Sequence, residues 1–230
     1  MTGAGRGRLR RKGKYSMRNV PAAAAVMLSL SLVLPAAAAP CPGIVVFQDS
    51  FTAPNPALDA SAIPQSKVTI QGGKAEVTFL QAGMGRNEEY LGIQYGDANL
   101  CGTFATATAD KAENQVAGII FWATDYSAFY SFQIMPASGQ FVILQMVPGT
   151  GWTTPLAWTA SAAIVKTMGA ANTLQVQTKG KTATLFINGQ QVGTFSGAPP
   201  SGGGVVGFSA STSSTSLDTW DVTDFSVAVP

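Results

Sequence analysis

Lys181-Thr-Ala-Thr-Leu-Phe-Ile-Asn-Gly-Gln-Gln-Val-Gly-Thr-Phe195 is the clearest hairpin in the chain. Two alternating runs flank Asn188-Gly189, and Asn-Gly is the strongest short hairpin signal because a two-residue turn of the favoured hand needs positive φ at both positions. Outward from it the same grammar continues. Runs rich in Val, Ile, Phe, Tyr and Thr with period 2 recur between Gly, Pro, Asn and Ser, and no segment shows a 3.6-residue period. Strands are expected at 44–51, 68–70, 75–80, 89–95, 100–109, 116–123, 129–135, 141–147, 174–179, 182–187, 190–195, 205–211 and 219–227. Gly72-Gly73 and Gly180 mark further turns, and 197–204, with two prolines and three consecutive glycines, reads as a loop within the domain. So many short strands exceed what one sheet holds without splitting. The expected fold is therefore all-β, a two-sheet antiparallel jelly-roll sandwich.

Charge divides the chain in two. Seven of the 14 cations precede residue 19, whereas all 12 acids lie beyond residue 48. From residue 40 onward seven cations face twelve acids, a balance of −5, with Arg86 the one arginine. That excludes the basic surface a phosphate backbone requires, so no nucleic-acid partner is expected. The cationic start, an apolar run over 20–34 and small residues at 36–39 with A-x-A spacing read as a signal peptide. The expected organisation is a leader over 1–39, starting at Met1 or Met17, and a single sandwich domain over 40–230. No later stretch is long and apolar enough for a membrane helix, and the mature protein is expected in the periplasm or outside the cell. Cys41 and Cys101 are the only cysteines, and an even count in an exported chain favours one disulfide. With no histidine to activate or co-ligate them, thiol catalysis and zinc binding are poor alternatives.

A set of short motifs, in order along the chain, resembles the concanavalin A-like lectin/glucanase superfamily, in the laminin-G-like branch that includes the 3-keto-disaccharide hydrolase domain. These are Phe47-Gln-Asp-Ser-Phe51, Ala117-Gly-Ile-Ile-Phe-Trp-Ala-Thr-Asp-Tyr126 followed by Phe129-Tyr-Ser-Phe132, Ala171-Asn-Thr-Leu-Gln-Val176, Ala183-Thr-Leu-Phe-Ile-Asn-Gly189, Gly203-Gly-Val-Val-Gly207 and Asp224-Phe-Ser-Val227. The resemblance implies a fold rather than an activity, since that fold hosts lectins, hydrolases and adhesion modules.

No catalytic residue is assigned. The absence of histidine excludes the usual Ser-His-Asp arrangement, and the E-x-D-x-E string of the family-16 glucanases does not occur. Glu88-Glu89, Asp97, Asp110 and Glu113 read as surface charge at turns and strand ends. Carbohydrate binding is the sharper idea, because sugar faces stack on aromatic rings while hydroxyls seek planar polar partners. In 116–124, alternation puts Ile119 and Phe121 on a core face and Trp122 on the opposite one with Gly118 and Ile120. Tyr126, Tyr130, Gln133, Trp152 and Trp158 are expected around the same groove. Those aromatics would equally serve to pack under loops or cover a sheet. Calcium is a candidate cofactor through Asp49 and Asp224, which lie in the first and last strands where the resembling superfamily often holds a metal. The reading is an exported, non-enzymatic glycan-binding sandwich. Two alternatives stay open: a glycoside or keto-sugar hydrolase whose acids are assembled by folding, and an envelope module that binds proteins.

Overall fold

The computed structural model describes residues 41–107 and 115–230, all within one compact unit, Ala37–Pro230. The leader expected over 1–39, and Asp110 and Glu113, lie outside the described residues. Fourteen strands follow one another: β1 (Ile44–Asp49), β2 (Ser66–Gln71), β3 (Lys74–Phe79), β4 (Gly85–Tyr95), β5 (Asn99–Thr106), β6 (Val116–Asp125), β7 (Ala128–Met135), β8 (Gln140–Val147), β9 (Gly151–Ala160), β10 (Asn172–Lys179), β11 (Thr182–Ile187), β12 (Gln190–Ser196), β13 (Gly204–Ser211) and β14 (Thr219–Val229). They form two antiparallel sheets. One runs β12-β11-β10-β5-β14-β3-β2 with β1 added on β14, and the other runs β4-β13-β6-β7-β8-β9. This is the expected two-sheet sandwich, and no helix among the described residues is long and apolar enough to cross a membrane.

Alternation decides which side chains fill the space between the sheets. Phe104, Val176, Leu185, Trp220 and Val222 from the eight-stranded sheet meet Ile119, Phe121, Phe132, Phe141 and Phe208 from the six-stranded one in a single buried cluster. Fully burying a side chain of this kind stabilises by roughly 1.5–3 kcal/mol, so this layer dominates the fold's favourable free energy. The hairpin reading holds, with Asn188 at φ 50° and Gly189 at φ 77° closing β11 onto β12. Cys41 and Cys101 form a disulfide with a sequence separation of 60. It ties the residues preceding β1 to β5, an interior strand of the larger sheet. In the chain-entropy description such a closure is worth about 4 kcal/mol.

Two expectations need correction. β9 lies in 148–173, where no strand was expected; its Pro155 lacks an amide donor, which an edge strand tolerates, and β9 is the edge of its sheet. β4 begins at Gly85 rather than at residue 89, which brings 85–88 into the sheet.

Candidate functional site

The outer face of the six-stranded sheet, turned away from the core, carries the candidate site. Cross-strand register builds it row by row. Asn87 opposes Ser209, Ser209 opposes Gly118, and Gly118 opposes Gln133, giving a polar row across β4, β13, β6 and β7. Gly118 is obligatory in this row, because a Cβ there would stand 1.8 Å from the Phe132 carbonyl oxygen. Gln133 Nε2 donates to Ser209 Oγ at 2.9 Å, and Ser209 Oγ lies 2.9 Å from Ser131 Oγ. The Gln133 amide oxygen is buried without a partner. Beyond Gln133 the surface turns apolar through Leu144 and Met146, and Met146 opposes Trp152 on β9. Trp152 is 50% exposed and rests edge-on against Phe129, ring centroids 5.5 Å apart. A cavity of about 430 Å³ runs over Asn87, Gln133, Ser211, Leu144, Met146 and Trp152, and none of its lining residues carries a charge.

A second cavity of about 260 Å³ adjoins the first, sharing Gly85 and Asn87, and is completed by Asp59, Ser61, Ile63, Arg86 and Tyr126. Tyr126, in the turn after β6, donates its hydroxyl to Asp59 Oδ2 at 3.3 Å and accepts the Glu89 N–H at 3.4 Å. Burial pushes that hydroxyl's pKa above its ordinary value, so Tyr126 keeps its proton as a donor. Beneath it the sequence reading fails in an informative way. Glu88 and Glu89, expected as surface charge, are fully buried in the interior of β4. Glu88 opposes Phe208 and points into the sandwich, where Arg86 pairs with it and also donates to the Ser61 carbonyl. Glu89 opposes Gly207 and points to the outer face, and both of its carboxyl oxygens are buried with no hydrogen-bond partner. Burial pushes Glu88 up to about 7 against the pull of Arg86. Glu89 is pushed up to about 7 by burial first, then by the charges of Asp125 and Asp59.

The structure divides the aromatic residues singled out in the sequence. Gln133 and Trp152 share the larger cavity, and Tyr126 closes the smaller one. Trp158 stands 38% exposed further along β9. Trp122 and Tyr130 belong elsewhere. Trp122, at φ 52°, sits where the pairing of β6 with β7 slips between Phe121 and Asp125. This bulge breaks the alternation, so Trp122 joins Phe121 in the inter-sheet cluster while Ile120 and Ala123 face outward, correcting its expected placement. Its ring meets Tyr130 at 5.7 Å and Phe195 at 6.4 Å, and the Tyr130 hydroxyl accepts the Ala198 N–H at 3.2 Å. These two rings border a smaller cleft of about 130 Å³ with Met146 and Pro200, but Trp122 is only 4% and Tyr130 6% exposed. They fasten the chain after β12 to the sheet.

The carboxylates proposed for calcium are brought near one another, since β1 pairs with β14 and Asp49 opposes Phe225, the neighbour of Asp224. They do not assemble a ligand set. Asp49 Oδ1 accepts the Phe51 N–H at 2.8 Å and its Oδ2 accepts the Tyr90 hydroxyl at 3.2 Å, while Asp224 is exposed. Among the described residues no group of three or more His, Cys, Asp or Glu side chains is placed to hold a metal ion. Asp49 acts instead as an internal acceptor that fixes the turn at Phe51 and the Tyr90 ring.

Comparison with known proteins defines the class by shape alone. The chain is similar to a mixed-linkage-glucan GH16 protein of Bacteroides ovatus in complex with product, at 8% identity and TM-score 0.56, over 80% of this chain and 100% of that one. It is also similar to the Bacillus licheniformis β-glucanase, at 10% identity and TM-score 0.53, over 82% and 100%. A Bacillus subtilis protein of unknown function with a galectin-like fold aligns at 9% identity and TM-score 0.56, over 81% and 96%. The fold is thus a two-sheet jelly-roll sandwich, the shape these structures share. No protein-family model and no curated protein sequence matches the chain.

Proposed function

We propose that this chain is an exported, non-enzymatic glycan-binding domain that holds an uncharged saccharide in the groove between Trp152 and Asn87. The observation that carries the reading is that groove: a half-exposed indole on an apolar shelf of Leu144 and Met146, facing a row of amides and hydroxyls with no charge among the lining residues. A ring to stack on and planar polar groups to orient hydroxyls are what a sugar face requires. The structural likenesses support the same direction, two of them being with glucan-directed proteins by name. Within the superfamily, the laminin-G-like branch rests on the sequence motifs. Residues 1–39 are proposed as the export signal, and the Cys41–Cys101 disulfide favours an oxidising compartment, periplasmic or extracellular.

Screening the exported protein on a broad array of neutral and charged glycans tests this directly. Binding to neutral saccharides that is lost in a folded Trp152→Ala variant is the expected result; a silent array, or binding that Trp152→Ala leaves intact, would overturn it. One observation favours a hydrolase as the second reading. Glu89 is a carboxyl raised to about 7 on the same face of the sheet, the behaviour expected of a general acid. Against it, glycoside hydrolysis needs two carboxyls flanking the bond, and the groove lining contains none. Release of reducing ends from any array hit, abolished in Glu89→Gln, would establish that second reading.

A further inference from the structure

Glu89 has no role in the groove as it stands, yet its setting is unusual. A fully buried carboxyl with both oxygens unpartnered is disfavoured unless it is neutral or unless a movement relieves it. The elements packed around it are few. From its own strand, Arg86 and Glu88 point to the other side of the sheet and pair with each other. β13 contributes Gly207 opposite it, and the next strand contributes Ile120 opposite Gly207; neither carries charge. The segment before β2 contributes Asp59, whose backbone N–H donates to the Glu89 carbonyl at 3.2 Å. The turn between β6 and β7 contributes Asp125 and Tyr126. Arg86 also borders the cavity that Asp59 and Tyr126 complete, its guanidinium held by Glu88 and the Ser61 carbonyl, and the charges that act on Glu89 are those of the acids Asp125 and Asp59.

The two sides of this arrangement are held differently. The segment carrying Asp59 is fastened to β4 by the Leu91 N–H on the Ala57 carbonyl at 2.7 Å, the Asp59 N–H on the Glu89 carbonyl and Arg86 on the Ser61 carbonyl, with Leu58 in the core, whereas the turn carrying Tyr126 reaches across to them through long bonds. Tyr126 bridges Asp59 and the Glu89 N–H through long hydrogen bonds of 3.3 and 3.4 Å, and Asp125 is exposed, tied only within its own turn to the Ser127 N–H at 2.7 Å and hydroxyl at 2.5 Å. We infer that Glu89 is a proton-controlled latch: with its proton on, the turn carrying Tyr126 closes over β4, and with its proton off, repulsion from Asp125 lifts that turn away from β4 and from the anchored Asp59 segment and opens the cavity at the Tyr126 end of the groove. Desolvation raises the proton affinity of Glu89 to about 7, which puts the transition near neutral pH. Opening lets water reach the carboxylate, which is the differential interaction that drives the change. The consequence for ligand access rests on the glycan-binding reading; the movement itself does not.

Amide hydrogen exchange of the unliganded, full-length-derived exported protein separates the two. After correction for the intrinsic rate, residues 124–128 are expected to exchange at least about tenfold faster near pH 8.5 than near pH 5.5, while the anchored segment 55–63 and strands β10 and β11 stay unchanged. In Glu89→Gln the turn stays protected at both pH values. Carboxyl carbon NMR of the wild-type protein supplies a measurement that needs no variant: the Glu89 resonance titrates with the midpoint of the exchange transition. Equal protection at both pH values, pH dependence that survives Glu89→Gln, or a Glu89 midpoint in the ordinary carboxylate range would each overturn the latch. A latch demonstrated in a protein that binds no glycan would instead count against the proposed function alone.

Discussion

Trp122 and Trp152 occupy the same six-stranded sheet and differ in everything that matters for function. Trp122 is 4% exposed and wedged among Phe121, Tyr130 and Phe195, whereas Trp152 is 50% exposed and touches Phe129 by an edge. One bulge in β6 makes the difference. It directs Trp122 inward, where the glycines that follow leave no slack: a Cβ at Gly204 would lie 2.5 Å from the Trp122 Cα, and one at Gly197 would lie 2.8 Å from its ring. β9, by contrast, is an edge strand with no further strand beyond it among the described residues, and its tryptophan keeps an exposed face. The residue type therefore says little about its role; the register of the strand beneath it says nearly all.

Removing each ring separates the two roles. Trp122→Ala is expected to destabilise the fold by about 3–5 kcal/mol, the range for emptying an aromatic site in a packed core, as read by urea unfolding. Separating Cys41 from Cys101, by Cys41→Ala with Cys101→Ala, is expected to lower stability by about 2–4 kcal/mol while leaving the groove intact, because the bond lies in the other sheet. In the wild-type protein, alkylation without reduction should leave both cysteines unmodified.

The buried acids add a pH dependence whose sign follows from their shifts. Glu88 and Glu89 have folded values of about 7 against an ordinary 4.5, so the folded state holds protons that the unfolded chain has released. Their stabilising effect is therefore complete below about pH 4.5 and is lost as pH rises through about 7. Glu89→Gln is expected to flatten this slope and to stabilise the protein by up to about 3 kcal/mol near pH 8.5, with little change near pH 5. A thermal-unfolding series across that range checks it, and a slope unchanged by Glu89→Gln would place the whole effect on Glu88. The smallest stability effect is assigned to Trp152→Ala, at less than about 1 kcal/mol, since its half-exposed ring buries little.

Much of this architecture was legible in the chain, and the exceptions have physical causes. Asn188-Gly189 announces its hairpin because few other pairs accept two positive φ values. The cysteine count and the alternating runs anticipate the disulfide and the paired sheets. β9 was invisible because Pro155 disqualifies an interior strand and says nothing against an edge. Asn87 was missed with it, since the expected strand opened at Glu89 and left 85–88 in a turn; alternation extended back to Gly85 would have placed Asn87 on the face of Glu89, where the register sets it opposite Ser209. Period-2 logic also misplaced Trp122, because a bulge shifts the parity of every residue after it. The burial of Glu88 against Phe208, and the charges of Asp59 and Asp125 that act on Glu89, come from distant parts of the chain, which local pattern does not contain.

Calorimetric titration of wild-type protein, Trp152→Ala and Trp122→Phe with a neutral saccharide identified on the array tests the central claim most directly. Trp152→Ala is expected to fold normally and to lose at least about tenfold in affinity, while Trp122→Phe keeps wild-type affinity at reduced stability. Affinity that follows Trp122 and ignores Trp152 would contradict that claim and move the binding surface to the cleft beside Tyr130.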